Sequence, residues 1–189
     1  VSNNVKRPPH IACSGLFYRL ALSANAQKEL KVTSDVPYCT DSPSQVLDIA
    51  EPVNFGSEGL RPAIVIIHGG GWSAGSKSDP VYRNLLMDYA LQGYVTVSVE
   101  YRFTQEAPFP ACIQDVKCAV RWLKAHAKEL RVDTERIGVT GHSAGAHLSL
   151  MVGVSSDSKE FEVGPWSEYS SSVACVVAGA PPTEIRGMK

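Results

Sequence analysis

No run of apolar residues in this chain is long enough to cross a membrane, and no period of 20 to 50 residues repeats along it. Charge of either sign is not in excess: 18 Lys and Arg stand against 19 Asp and Glu, a net charge of -1. With the two signs interspersed there is no basic face for nucleic acid and no polybasic cluster for a membrane surface. The five cysteines, Cys13, Cys39, Cys112, Cys118 and Cys175, contain no C-x-x-C pair. That argues against a metal site and leaves scattered buried thiols, or a single disulfide among them. What the 189 residues do have is 44% apolar content, enough for one domain with a sizeable core. The partner this balance suggests is a small molecule.

Lys6 and Arg7 precede a moderately apolar run over 11–22 that closes near Ala24-Asn25-Ala26, as in a signal peptide with an A-x-A cleavage site. Arg19 inside that run, and the chain's opening on Val1 and not Met, argue against export. Both readings stay open, secreted or periplasmic on one side and cytoplasmic on the other. Residues 1–34 are therefore read as an N-terminal segment and 35–189 as the folded domain.

Within that domain the apolar patterning switches repeatedly between strand and helix periods. Residues 36–39 and 46–50, separated by Thr40-Asp41-Ser42-Pro43-Ser44, predict an antiparallel hairpin. Residues 63–67 are a continuous β-branched run, which predicts a strand buried on both faces. Val81, Leu85, Tyr89 and Ala90 with Gly93 beyond predict a helix over 80–91, and 95–99 predict the next strand. Ile113, Val116, Val120 and Leu123 recur at helical spacing as far as Ala127, with Asp115, Lys117, Arg121 and Lys124 interleaved. His126 reads as a surface residue at the end of that helix. Residues 155–172 predict a long polar loop whose aromatics, Phe161, Trp166 and Tyr169, serve function or pin it to the body. A last apolar strand is expected over 173–178. Alternating strands and helices predict an α/β class with a mostly parallel sheet and helices on both faces.

The chemistry concentrates in two stretches. In RIGVTGHSAGAHLSL, residues 136–150, a short strand over 137–140 meets a helix over 146–152 through Gly141-His142-Ser143-Ala144-Gly145. A G-x-S-x-G between strand and helix is a nucleophile elbow: its glycines permit the strained, close-packed turn, and Ser143 is held up at the end of the sheet. The free N–H groups and positive dipole end of the following helix favour negative charge beside that serine. Upstream, the buried strand runs straight into His68-Gly69-Gly70-Gly71-Trp72. Consecutive glycines there let backbone N–H groups face a ligand, as an oxyanion hole requires.

Taken together, HGGGW at 68–72, VEYRFTQEAPFPA at 99–111 and RIGVTGHSAGAHLSL at 136–150 resemble the α/β-hydrolase superfamily. The likeness is greatest to its hormone-sensitive-lipase-like and carbohydrate-esterase branch, feruloyl or acetyl xylan esterase-like, and covers about residues 35–185. It implies Ser143 as the nucleophile, the N–H groups of Gly70, Gly71 and Ala144 as the oxyanion hole, hydrolysis of a small-molecule ester without metal or cofactor, and His68 as a structural loop residue. The superfamily also carries an Asp or Glu after its seventh strand and a His after its eighth. Neither strand is expected within these residues. Asp157, Glu160, Glu162, Glu168 and Glu184 all come too early, and His142 and His147 are badly placed to reach Ser143, so the catalytic acid and base are expected beyond Lys189. Two further readings remain. Plant gibberellin receptors resemble the same family without the catalytic His, which would make this a non-catalytic binder of small ligands, and formamidases and peptidases share the elbow and the glycine loop.

Overall fold

The computed structural model describes residues 29–53, 59–156 and 158–185. The N-terminal segment and its signal-like reading lie almost wholly outside them, as do Cys13 and His10. One six-stranded sheet organises the rest. Its strands are β1 (Leu30–Pro37), β2 (Val46–Pro52), β3 (Arg61–Ile67), β4 (Val95–Val99), β5 (Val132–His142) and β6 (Cys175–Gly179), and their spatial order is β1-β2-β4-β3-β5-β6. β4, β3, β5 and β6 run parallel, while β2 is antiparallel to β4 and β1 to β2.

Among the described residues four helices accompany it: α1 (Pro80–Leu91), α2 (Ala111–Ala125), the single turn α3 (Ala127–Leu130) and α4 (Ala144–Val154). The unbroken apolar run of β3 sends alternate side chains to opposite faces. Val65 and Ile67 join Ile113, Val116, Val120 and Leu123 of α2 and Leu148 and Val152 of α4 in the larger core. Ile66 instead meets Tyr82, Leu86 and Ala90 of α1 on the other face. Each such side chain taken fully out of water contributes about 1.5–3 kcal/mol, so packing outweighs the few tenths per residue that helix propensity offers.

Several boundaries and faces differ from the sequence reading. β1 begins at Leu30 and not at 36, and so crosses the proposed division between residues 34 and 35. Its Lys31, Ser34 and Asp35 are exposed on an edge strand, which hides the alternation, and its register with β2 shifts between Thr33 and Val36, where Asp35 takes a φ of 56°. α1 turns its inward stripe one residue from the expected one. Tyr82, Leu86 and Ala90 are buried, whereas Val81 is 58% exposed. Both stripes satisfy i, i+4 spacing, so the pattern alone does not choose between them.

Lys117 and Arg121 are not solvated. They are 0% and 1% exposed on α2, because the 155–172 loop lies across them and supplies Glu162. Lys117 Nζ is 2.9 Å from Glu162 Oε1 and donates to the Ser155 carbonyl, and Arg121 pairs with the other carboxylate oxygen. Trp166 Nε1 donates to the Tyr38 carbonyl at 2.9 Å, and Phe161 packs edge-on against Phe109. Phe161, Trp166 and the buried charges thus pin this loop to the body, whereas Tyr169 is exposed. His126 is likewise packed and not on open surface, stacked on Trp122 with ring centroids 4.2 Å apart.

Candidate active site

The strand-to-helix turn is very tight. Ser143 adopts φ 55° and ψ -122°, a left-handed φ rarely tolerated by a residue with a Cβ, between the last residue of β5 and the first of α4. Gly145 is what lets α4 start there, since a Cβ at that position would stand 2.1 Å from the Ile67 carbonyl oxygen at the end of β3. The Ser143 N–H is consumed by the Gly179 carbonyl of β6 at 2.9 Å, and the Ser143 carbonyl accepts from the His147 N–H, opening the helix. The next N–H, that of Ala144, belongs to the first turn and has no intrahelical acceptor.

The glycine loop closes on the same point. A Cβ on Gly69 would lie 3.4 Å from the Ser143 Cβ and 2.8 Å from the His142 carbonyl oxygen, so the loop backbone touches the elbow. The Gly70 carbonyl accepts from the N–H groups of Ser73 and Ala74, which folds the loop back on itself. Gly70 has a φ of 120°, and a side chain there would drive a Cβ to 1.8 Å from the Ala74 carbonyl oxygen. Among the described residues no acceptor takes the N–H of Gly70, Gly71 or Ala144. By contrast, the neighbouring N–H groups of Gly69 and Ser143 are both occupied.

His68 holds this loop from below and is fully buried. Its ring stacks on Tyr101 at 4.4 Å, and its Nδ1 meets the Gly69 carbonyl oxygen at 2.7 Å. Nε2 lies 2.9 Å from Glu100 Oε1, close enough for an ion pair but too oblique to make a well-formed hydrogen bond. Burial alone would raise the Glu100 carboxyl, yet it is held below its ordinary range by His68 together with the Lys77 N–H and the Ser76 hydroxyl.

The other histidines are placed differently. His142 is exposed, and His147 sets its ring edge-to-face with Trp72 at a centroid separation of 5.2 Å. Nδ1 of His147 is buried without a partner, and burial lowers the pKa of the ring. Trp72 and His147 line an apolar cavity of about 300 Å³ with Phe109, Cys112 and Met151. Among the described residues, no imidazole or carboxylate is hydrogen-bonded to the Ser143 hydroxyl. Tyr82 and Glu100 are the loop-holding residues that sequence reasoning missed. Glu100 lies in the 99–111 motif that carries the resemblance, which assigns its side chain no role, and Tyr82 is hidden by the one-residue ambiguity in the α1 stripe.

The BD-FAE family model matches residues 47–189. The chain belongs to the BD-FAE family. Among curated proteins, this BD-FAE chain is similar to esterase LipC of Mycobacterium tuberculosis, at 31% identity over 137 residues, 72% of this chain and 34% of LipC. Among solved structures it is similar to a truncated form of a carbohydrate esterase from gut microbiota, with a TM-score of 0.67 at 31% identity over 82% of this chain and 57% of that one. It is also similar to the apo form of Thermogutta terrifontis esterase 2, with a TM-score of 0.67 at 28% identity over 87% of this chain and 60% of that one. The BD-FAE chain therefore has the α/β-hydrolase fold, and it spans about a third of the length of LipC.

Proposed function

We propose that this chain carries the nucleophile and the oxyanion hole of a carboxylic-ester hydrolase acting on small esters, with short acyl or carbohydrate-linked groups. Ser143 is the nucleophile, and the N–H groups of Gly70, Gly71 and Ala144 form the oxyanion hole. The observation that carries this reading is the closure of the glycine loop on the elbow: Gly69 backs onto Ser143, which is held at positive φ, and among the described residues the N–H groups of Gly70, Gly71 and Ala144 have no acceptor. Ser143 Oγ attacks the ester carbonyl, the carbonyl oxygen becomes an oxyanion held by those three donors, and collapse expels the alcohol to leave an acyl-enzyme. Water then attacks the acyl-enzyme and regenerates the serine. The serine proton must pass to a base, and we assign that base and its acid partner to residues outside the described ones. In this reading the hydrolase domain, expected over 35–189, takes in β1 from Leu30, and the segment ahead of it is shorter by those residues.

The apolar cavity lined by Trp72 and His147 favours one other reading, a small-ligand binder on the same scaffold. A panel of ester, amide and peptide substrates, run on the full chain beside Ser143→Ala, separates them. Ester turnover lost in the variant supports the proposal. Turnover confined to amides or peptides moves the assignment to those bonds, and absence of turnover with retained ligand binding supports the binder.

A further inference from the structure

Gly69 is gripped from two sides by groups with no part in the chemistry above. Its N–H donates to the Tyr82 hydroxyl at 2.7 Å, and its carbonyl oxygen is 2.7 Å from His68 Nδ1. Tyr82 reaches it from α1, 7% exposed, with its ring tilted 59° to that of His68. Because peptide groups are planar, the Gly69 carbonyl and the Gly70 N–H are opposite ends of one rigid unit, and fixing the first aims the second. The Gly69 N–H belongs to the preceding peptide. Two consecutive peptides are thus fixed at the point where the buried strand gives way to residues of maximal backbone freedom.

We propose that Tyr82 is a positioning residue for the oxyanion hole, a role that rests on the ester-hydrolase reading. By accepting the Gly69 N–H, its hydroxyl anchors the root of the glycine loop to α1 and removes one donor from competition, so that the oxyanion is met by Gly70, Gly71 and Ala144. A backbone donor contributes to the transition state only when aimed at 2.7–3.1 Å from the developing charge. Losing the anchor lets the loop wander, weakening the donors without altering the surface that binds the ground-state ester. The effect therefore falls on kcat and spares KM.

The test is Tyr82→Phe in the full chain, which removes one oxygen and leaves the ring to pack. Assays are run well below the variant's melting temperature, with active serines counted by phosphonate titration. The expected result is a fall in kcat per titrated serine of about tenfold to a hundredfold, smaller than the hundredfold or more of a deleted donor. KM should stay within about twofold, and affinity for an alkylboronic acid, whose tetrahedral adduct places charge in the hole, should fall in parallel with kcat. A merely structural tyrosine would lower the melting temperature and the count of titratable serines but leave kcat per serine unchanged, and that outcome overturns the inference. If the parent chain itself hydrolyses no ester, the functional reading fails and this proposal with it.

Discussion

The crossing of the glycine loop with the elbow and the far edge of the sheet at β6 are built on opposite principles. At the crossing, backbone meets backbone: Gly145 abuts the Ile67 carbonyl and Gly69 abuts the elbow, and the N–H groups of Gly69 and Ser143 find acceptors in Tyr82 and Gly179. At the edge, β6 pairs with β5 alone among the described residues, Val177 is 63% exposed, and the loop leading into the strand is held by long charged side chains of α2. Backbone contacts of the first kind tolerate no added atom. Those of the second kind rest on a buried charge network that can be removed piece by piece, and the comparison can be broken from either side.

The largest effect is expected at the crossing. Ser143→Ala should cost about a million-fold in rate, as removal of such a serine does, and a drop of less than about tenfold would sink the assignment. Gly70→Val should follow, because its Cβ would stand inside the Ala74 carbonyl and the loop must open to admit it. A lost oxyanion donor costs about 3 kcal/mol of transition-state stabilisation, read as lowered kcat with KM little changed. Raised KM with kcat intact would make the loop a substrate clamp instead.

At the edge, Glu162→Ala strands Lys117 and Arg121 without their acid. Breaking a buried pair costs about 3–5 kcal/mol, and with the Glu162 side chain 24% exposed we expect about half of that, measured by denaturant unfolding. A cost below about 0.5 kcal/mol would leave Trp166 and Phe161 as what holds the loop. The same carboxyl sets a pH dependence. Burial would raise its pKa, but Ser171, Lys117 and Arg121 hold it below the ordinary value of 4.5. Its contribution is therefore fully present above the unfolded pKa and is lost as pH falls through the lower, folded one. Melting temperature against pH should drop on that acid limb, and Glu162→Gln should flatten the drop.

What was legible in the sequence follows the same division. β3, the glycine loop and the elbow could be read because glycines and a continuous apolar run leave the backbone few alternatives, and the loop meets the elbow where Gly69 backs onto Ser143. The burial of Lys117 and Arg121 was not legible, because a charged residue at helical spacing carries no sign of the loop that covers it. Tyr82 was missed because a one-residue rotation of α1 leaves the i, i+4 pattern intact and changes which side chain points at Gly69. β1 was read short because an edge strand facing water carries polar residues at the positions that would otherwise mark it.

The central claim, that Ser143 is the nucleophile of an ester hydrolase, is met most directly by covalent labelling. A preparation of the full chain assayed on p-nitrophenyl acetate is treated with a fluorophosphonate and examined by intact mass and peptide mapping. The account predicts one adduct per chain, on the peptide bearing Ser143, with esterase activity lost in proportion to labelling and no adduct in Ser143→Ala. An adduct on another residue, or full labelling of Ser143 with hydrolysis undiminished, would contradict it.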